Sequence, residues 1–260
     1  MIRIDCRGVS TDGLASSEQI RAATDCFIKQ GYAILDHVVP EEKIRALNLE
    51  FIEDYARFIR DEETDEVKKV GPQRYMLSLR LSGGFGDPSL FANPYVVALV
   101  REILESTAIL EAYGAVLSLA GAPAQPEHRD APHLYGSELA ALLPAHALTF
   151  ALPLIEMNES HGTTSLWPGS HRWRNKNEKS ERIDPVIPVG SCMLWDFRLV
   201  HQGTTNISAR PRPMLYCTYA RPWYRDPVNF RKKKMHRVQF DAAFLETLPE
   251  DTRKLIDHAA

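Results

Sequence analysis

The chain has 260 residues, of which 44% are hydrophobic, which is enough to bury a substantial core within one domain. Its 31 basic and 34 acidic residues give a formal net charge of −3, so no global field favours nucleic acid and a small-molecule partner is expected. The four cysteines are scattered without a Cys-x-x-Cys pair, which is typical of reduced thiols in a cytoplasmic protein. The sequence has neither the apolar core of a signal peptide nor an apolar run long enough to cross a membrane, so no membrane partner is expected.

The N-terminal third is predicted to be largely helical. A capping box at Ser16–Gln19 begins a first helix that ends at Gly31, and Tyr32–Leu35 is predicted as a strand. A second helix begins after Pro40 and carries apolar residues at helical spacing through about Ile59. We expect this second helix to be the outer brace of the scaffold.

Loop, strand and helix signals then follow one another up to residue 105. Residues 61–69 are charged and are predicted as a loop, and the alternating sequence Arg74–Leu81 is predicted as a strand. The glycine-rich segment Gly83–Pro88 has the backbone freedom of a lid over a pocket. A further helix is predicted from about Pro94 to Glu105, so that residues 16–105 form a helical brace.

From residue 109 onward, short apolar segments alternate with turn signals, which is typical of an antiparallel sandwich or barrel with helices packed outside. The predicted strands lie near Ile109–Leu119, Leu148–Leu154, Thr164–Trp167, Ser191–Trp195 and Met214–Ala220. We therefore expect a barrel core at about 109–222 within a single domain that spans 1–260. The tail, 223–260, includes a short predicted helix and is expected to cover the opening or to form a subunit contact, in a monomer or a homodimer.

One short motif carries metal chemistry. His128 and Asp130 are two residues apart, so on a strand both side chains point to one face while Arg129 faces away. A second strand is expected to bring His201 to the third position. Two imidazoles and one carboxylate on one face of a metal leave the opposite positions open, which is the arrangement of non-haem Fe(II) oxygenases.

Further features accompany this motif. Arg212 follows His201 by eleven residues, the segment Gly162–His171 lies between the two halves of the ligand set, and the first half has the form Gln-x-x-His-Arg-Asp beginning at Gln125. With these features the sequence resembles the phytanoyl-CoA dioxygenase family of Fe(II)/2-oxoglutarate oxygenases over about residues 25–222, and is most similar to its natural-product branch. The resemblance implies a mainly β protein with flanking helices, folded as a double-stranded β-helix, the cupin-like jelly-roll barrel.

The resemblance also implies ligand roles. His128, Asp130 and His201 bind Fe(II), and the open positions take 2-oxoglutarate and then O2. Arg212 holds the distal carboxylate of 2-oxoglutarate, which a guanidinium can bind bidentately without losing its charge. The eleven-residue offset from His201 favours Arg212 over its neighbour Arg210.

The resemblance implies two further contacts to the cosubstrate. Thr164 matches the family position whose hydroxyl assists the distal carboxylate, and Gln125 matches one that contacts the end of 2-oxoglutarate near the iron. Some relatives have a serine two residues after the distal histidine, whereas this chain has Gly203. That departure leaves the hydroxyl contact to Thr164 alone.

The implied reaction is the decarboxylation of 2-oxoglutarate to succinate coupled to removal of a hydrogen from the substrate. Hydroxylation is the default outcome, and desaturation, rearrangement and endoperoxide formation are also known in the branch. Related halogenases lack the carboxylate so that halide can take its place, and the presence of Asp130 therefore argues against halogenation. A mostly apolar pocket suits a lipophilic metabolite.

The remaining candidates have weaker support. Other histidines, such as His133, His146, His161 and His171, are expected to be surface or hydrogen-bonding residues rather than ligands. Four side chains are expected to line the mouth of the barrel and to contact substrate, although simple packing explains each equally well. They are Tyr75, Ser78, Tyr135 and Trp223.

Two other classes of function stay open. A non-oxidative hydrolase or isomerase could hold Zn(II) or Mn(II) on the same ligands, but it would not need Arg212 or Thr164. A binding module could keep the fold without turnover, but it would not need three intact ligands. The oxygenase explains all of these residues together.

Overall fold

The computed structural model describes residues 3–7, 17–60, 62, 67–135, 138–174, 179–230 and 235–259. Ser16, which begins the predicted capping box, and the basic run Arg231–Lys234 lie outside the described residues. In the part of the chain that is described, no helix is long and apolar enough to span a membrane.

Ten described strands form one large and one small sheet. The strands are β1 (Arg3–Asp5), β2 (Tyr32–Asp36), β3 (Lys68–Gly71), β4 (Arg74–Ser78), β5 (Ile109–Ser118), β6 (Ala147–Pro153), β7 (Thr164–Leu166), β8 (Cys192–Asp196), β9 (His201–Gly203) and β10 (Arg212–Ala220). Eight of them form a sheet in the order β1-β2-β8-β6-β10-β5-β4-β3, which is antiparallel except for the parallel pair β1 and β2. This mainly β architecture confirms the predicted fold class.

The small sheet consists of β7 and β9, and isolated bridges extend it on both sides. His128 bridges to His201 on one edge, and Ile183 bridges to Leu166 on the other. The small sheet therefore brings together segments that are far apart in sequence. The edge at β9, with its bridge to His128, carries two of the three predicted metal ligands, His128 and His201.

Helices cover the outer face of the large sheet. They are α1 (Ser17–Gln30), α2 (Glu41–Asp54), α3 (Ala56–Ile59), α4 (Pro88–Phe91), α5 (Pro94–Leu104), α6 (Ala242–Glu246) and α7 (Glu250–Arg253). Asn93 caps α5 by accepting hydrogen bonds from the backbone N–H groups of Tyr95 and Val96, and Pro94 occupies the first helical position, where its missing N–H costs nothing. The apolar faces of these helices and the outward side chains of the strands form the main hydrophobic core.

The strand registers decide which side chains face inward between the two sheets. Directly paired residues on neighbouring strands share a face. Arg74 pairs with Ser118 on one side, and Ser118 pairs with Arg212 on the other, so these three lie in one row. Thr149 pairs with Trp195 in a second row further along the sheet. Polar and charged side chains are thus placed on the inner face, opposite the helices.

Several predicted boundaries were wrong. The second helix does not continue to Ile59 but breaks at Tyr55, whose ring stacks on that of Phe51 at 4.8 Å between centroids. The predicted strand Arg74–Leu81 ends at Ser78, and Lys68 belongs to a strand rather than to the predicted loop. The last strand begins at Arg212 rather than Met214, because its pairing with β5 already starts at Arg212. Its pairing with β6 starts only at Met214, so the missing N–H of Pro213 leaves no bond of that ladder unmade.

The glycine-rich segment is not a lid. Gly83–Gly86 forms a turn of 3-10 helix whose backbone N–H at Gly84 donates to Glu50 on α2 at 3.0 Å. Phe85 is buried against the aromatic rings of α2, and Tyr113 donates to its carbonyl oxygen at 2.9 Å. These contacts place the segment on the helix side of the large sheet, away from the interior between the sheets.

Truncation of Phe51 should reveal how strongly the helix layer supports the sheet. Phe51 is fully buried between Tyr55 and Phe85, so Phe51→Ala should lower the free energy of unfolding by about 3–5 kcal/mol in urea denaturation. Ile52→Ala, at the next and largely exposed position of α2, is the control and should cost about 1 kcal/mol or less. Equal losses in the two variants would show that this helix is not packed as described.

Candidate metal centre

Two histidines are joined through their backbones. The N–H of His128 donates to the carbonyl oxygen of His201 at 3.0 Å, and the N–H of His201 donates back at 2.9 Å. The two rings consequently lie side by side, with their centroids 4.4 Å apart. The predicted pairing of the two motif halves is therefore present, although only as a single bridge: Asp130 lies outside any strand.

Both rings are oriented by backbone carbonyl groups. Nδ1 of His128 lies 2.9 Å from the carbonyl oxygen of Pro126, and Nδ1 of His201 lies 3.0 Å from that of Leu199. A carbonyl oxygen can only accept a hydrogen bond, so each Nδ1 carries the proton. Each Nε2 of the neutral imidazoles is then left with a lone pair, which is the state in which histidine binds a metal.

Asp130 is held between two donors from the large sheet. Its Oδ2 accepts hydrogen bonds from Thr149 Oγ1 at 2.7 Å and from Trp195 Nε1 at 2.9 Å. Its Oδ1 faces His201 Nε2 at 3.4 Å. One carboxylate oxygen is therefore fixed by the sheet, and the other is directed to the histidines.

The protonation states suit a cation. Burial alone raises the pKa of Asp130, but the neighbouring His201 and His128, with the hydrogen bond from Thr149, lower it to about 2. Burial and the nearby His201 lower the pKa of His128. Burial also acts to lower the pKa of His201, but the charge of Asp130 and the hydrogen bond to it raise that pKa overall. At neutral pH the cluster holds a carboxylate and a neutral His128.

The three predicted ligands meet. One ligand atom each from His128, Asp130 and His201 lies within 4.8 Å of the other two, a spacing that one metal ion can bridge. Among the described residues no other group of histidine, cysteine, aspartate or glutamate side chains forms such a cluster. The remaining histidines are elsewhere: His146 packs against Tyr224, for example, and His171 bonds to the carbonyl oxygen of Ile28 at 3.2 Å.

Two arginines are buried in the same cavity. Arg212 and Arg74 are each 1% exposed, and no carboxylate of the described residues is bonded to either. Arg74 donates to the carbonyl oxygens of Pro123 and Thr204 at 3.1 and 3.0 Å, but Nε and Nη2 of Arg212 have no hydrogen-bond partner in the described part of the chain. Burial lowers the pKa of Arg74 to about 10, and burial together with the charge of Arg74 lowers that of Arg212 to about 9. Both groups remain charged at neutral pH.

A glycine makes room for Arg74. A Cβ atom at Gly203 would lie 2.5 Å from Gln125 Oε1 and 2.8 Å from Arg74 Nη1, closer than real side chains approach. Gln125 is tied to this strand, since its Oε1 accepts from the N–H of Gly203 at 3.2 Å. Thr164 pairs with Gly203 in the small sheet and is buried. The position that differs from the family pattern is therefore occupied from the opposite sheet by a guanidinium.

These groups share one cavity of about 440 Å³. All six predicted metal and cosubstrate residues line it, and so do the unpredicted side chains of Arg74, Thr149 and Trp195. The rest of the wall is mixed: Val70, Met76, Val116, Phe197, Met214 and Val228 are apolar, whereas Lys68, Arg129, Asp226 and Asn229 are charged or polar. The cavity thus combines the two buried arginines, the carboxylate of Asp130 and a largely apolar surface.

The four predicted substrate residues do not line this cavity. Tyr75 is fully buried on the outer face of β4, where its ring lies 6.3 Å from that of Phe58, because alternation along the strand turns it away from Arg74 and Met76. Ser78 lies near the end of that strand and donates to the carbonyl oxygen of His236 at 2.6 Å. Tyr135 and Trp223 are 61% and 63% exposed on the surface.

Three contacts of the site were not predicted. Arg74 is the first residue of a predicted strand, and the alternation of side chains along that strand already puts Arg74 on the face opposite Tyr75. Thr149 and Trp195 lie within predicted strands, but their bonds to Asp130 depend on the pairing of β6 with β8. Strand pairing is a long-range property that no local pattern specifies.

Comparison with known proteins places the chain in a family. The family model described as "Phytanoyl-CoA dioxygenase (PhyH)" matches residues 27–214, more than half of the chain. The chain belongs to the phytanoyl-CoA dioxygenase family. Proteins of this family use Fe(II) and 2-oxoglutarate, and the three ligands and two arginines of this PhyH-family protein fit those two groups. The predicted resemblance and cofactors are thereby confirmed.

Solved structures share the fold of this PhyH-family protein. AviO1 from Streptomyces viridochromogenes Tue57 is 19% identical with a TM-score of 0.60, over 80% of this chain and 98% of that one. EvdMO1 is 21% identical with a TM-score of 0.61, over 78% of this chain and 50% of that one. The epimerase SnoN, in complex with Fe3+, alpha ketoglutarate and nogalamycin RO, is 17% identical with a TM-score of 0.58, over 80% of this chain and 86% of that one.

Because Nε and Nη2 of Arg212 have no partner among the described residues, a prediction about stability follows. A buried charge without a partner destabilises the fold, so Arg212→Met should raise the free energy of unfolding of the metal-free and cosubstrate-free protein by about 1–4 kcal/mol in urea denaturation. Arg210→Met, at an exposed position two residues earlier, should change it by no more than about 0.5 kcal/mol. A clear loss of stability in Arg212→Met would mean that this arginine stabilises the ligand-free fold and is not a group kept for binding an anion.

Proposed function

We propose that this PhyH-family protein is an Fe(II)- and 2-oxoglutarate-dependent dioxygenase that hydroxylates an unactivated C–H bond of a small lipophilic metabolite, with release of succinate and CO2. One observation carries the proposal: a cavity that holds a His-Asp-His cluster also holds two buried arginines to which no carboxylate of the described residues is bonded. A metal site alone leaves the buried arginines unexplained. A metal together with a dicarboxylate accounts for the ligand cluster and for a buried guanidinium in one cavity.

The ligand roles follow from the orientation of the side chains. Nε2 of His128 and of His201 and Oδ1 of Asp130 would hold Fe(II), since Nδ1 of each ring and Oδ2 of the carboxylate are already engaged. Fe(II) together with 2-oxoglutarate supplies the oxidising power of the reaction when bound. With three protein ligands, the metal would keep further coordination positions for 2-oxoglutarate and O2.

The cosubstrate roles follow from charge and burial. Arg212 would bind the distal carboxylate through the N–H groups that have no partner among the described residues, with Thr164 of the same cavity wall as a hydroxyl donor. Arg74 adds a second buried positive charge and, together with Gln125, fills the space that a side chain at position 203 would need. Gln125 would contact the end of 2-oxoglutarate nearer the metal.

The substrate class is inferred from the rest of the wall. Apolar side chains such as Val70, Met76 and Val228 form much of the cavity surface, and such a surface favours a lipophilic molecule. SnoN, a structure of similar fold, binds the natural product nogalamycin RO, which supports a metabolite of natural-product biosynthesis as substrate here. SnoN is named an epimerase, so one fold serves more than one outcome, and hydroxylation is the outcome that we propose for this protein.

Removal of the carboxylate ligand tests the metal centre. Wild-type protein with Fe(II) and 2-oxoglutarate under anaerobic conditions should show the weak visible charge-transfer band of a chelated 2-oxo acid and, with O2, should release succinate. Asp130→Ala removes one of three ligands and should lower succinate release by at least about 100-fold.

The exposed carboxylate of Asp25 on α1 provides the control, and Asp25→Ala should release succinate at the wild-type rate. A colourless wild-type complex at saturating 2-oxoglutarate would contradict the proposed function. Undiminished succinate release by Asp130→Ala would place the third ligand elsewhere.

Arg74, Gln125 and Gly203 predict a shared effect on the cosubstrate. Arg74→Met removes a buried charge, and Gly203→Ala requires both Gln125 Oε1 and Arg74 Nη1 to move. Both variants should weaken 2-oxoglutarate binding to the Mn(II)-loaded protein, by about 10-fold or more, in calorimetric titration. Arg210→Met should bind as the wild type does. An Arg74→Met variant with wild-type affinity would show that the guanidinium does not act on the cosubstrate from this position.

A further inference from the structure

The middle residue of the His-Arg-Asp motif makes contacts of its own. Arg129 Nε donates to the carbonyl oxygen of Arg198 at 2.7 Å, and its Nη2 donates to the carbonyl oxygen of Ser170 at 3.1 Å. Both acceptors belong to segments that flank the distal histidine rather than to the motif itself. The side chain thus reaches across from one half of the ligand set to the surroundings of the other.

The first acceptor is anchored rigidly. Arg198 is 4% exposed and forms a two-pronged ion pair with Asp196, with Nε to Oδ1 at 2.9 Å and Nη2 to Oδ2 at 2.6 Å. Its Nη1 also donates to the carbonyl oxygen of Leu143 at 2.7 Å. The turn that leads from β8 to His201 is therefore fixed by a buried ion pair, and it presents the carbonyl oxygen of Arg198 to Arg129.

The second acceptor is linked to the same histidine segment. Ser170 Oγ accepts a hydrogen bond from the N–H of Val200, the residue before His201, at 2.8 Å. The carbonyl oxygen of Ser170 is the group to which Arg129 donates. Arg129 is thus connected to Arg198 directly and to Val200 through Ser170, immediately before the distal ligand.

The proximal ligand segment lies outside any strand ladder. His128 is joined to His201 by one bridge, the N–H of Asp130 donates to the carbonyl oxygen of Phe197 at 3.1 Å, and the carboxylate of Asp130 accepts from Thr149 and Trp195. A metal site requires its ligands to be held to within a few tenths of an ångström. The two hydrogen bonds of Arg129 add a link between this segment and the chain immediately before His201.

We propose that Arg129 is a positioning residue that sets the separation between the His128–Asp130 segment and His201 through the carbonyl oxygens of Arg198 and Ser170. The inference rests on the proposed function, because it assigns these three residues to one metal ion. Arg129 does not contact the metal. It acts on metal affinity through the backbone segments that carry the ligands.

Charge and position have opposite consequences at this residue. If Arg129 acted only as a positive charge near the metal, its removal would favour a cation, so Arg129→Gln would bind metal more tightly and Arg129→Lys would bind it unchanged. If Arg129 acts by position, both substitutions weaken metal binding, because neither side chain can donate to both carbonyl groups in the geometry of a guanidinium. The two variants therefore separate the two effects.

The test is Co(II) binding to metal-free protein, followed by the visible absorption of the bound Co(II) and by calorimetry. We expect the dissociation constants of Arg129→Gln and Arg129→Lys to rise by about 10-fold or more, and the Co(II) absorption bands to shift because the ligand geometry changes. Arg221→Gln is the matched control: Arg221 also donates from Nε to a backbone carbonyl oxygen, that of Ala145 at 2.9 Å, and does not line the metal cavity. It should bind Co(II) as the wild type does.

Thermal melting of the metal-free variants separates position from general stability. We expect the melting temperatures of the Arg129 variants to fall no further than that of Arg221→Gln; if Arg129→Gln does not fold, Arg129→Lys decides the outcome. Wild-type affinity and spectrum in Arg129→Lys, or tighter binding in Arg129→Gln, would overturn this inference alone. A wild-type protein that binds no Co(II) would overturn the proposed function itself.

Discussion

Two backbone hydrogen bonds between His128 and His201 govern the arrangement of the whole site. They join residues 73 positions apart and place two imidazole rings side by side. The large sheet then contributes Thr149 and Trp195, whose side chains donate hydrogen bonds to Asp130. The jelly roll makes this possible because its small sheet collects short segments from distant parts of the chain. Helices on the outer face stabilise the large sheet without entering the site.

Charges of both signs line the interior of this protein. The carboxylate and two imidazoles of the ligand cluster share one cavity with the guanidinium groups of Arg74 and Arg212, which have no carboxylate partner among the described residues, and apolar side chains make up much of the remaining wall. Buried charges of this kind destabilise a fold unless a partner neutralises them. Their presence in a well-packed interior is best explained by ligands of opposite charge, a cation at the first group and a dicarboxylate at the second.

Local patterns predicted the main strands and proposed His128, Asp130 and His201 as one ligand set, whereas Arg212 was proposed from the resemblance to the family. The three candidate ligands do meet, although Asp130 lies outside any strand and the expected alternation does not place it. Local patterns did not predict Arg74, Thr149 or Trp195, whose contacts depend on which strands pair and in what register. The predicted substrate residues do not line the cavity for a related reason. Tyr75 was proposed because of its side-chain chemistry, but the alternation along its strand that turns Arg74 inward turns Tyr75 outward. The break at Tyr55 also needed tertiary contacts, because the helical periodicity of the sequence continues through it.

Gly203 faces the ends of two side chains, the amide of Gln125 and, from the opposite sheet, the guanidinium of Arg74, and a Cβ atom here would require both to move. A larger residue at this position would therefore disturb an amide and a cation of the cavity wall in one step. The glycine lets the two sheets approach each other closely enough for both polar groups to share this wall.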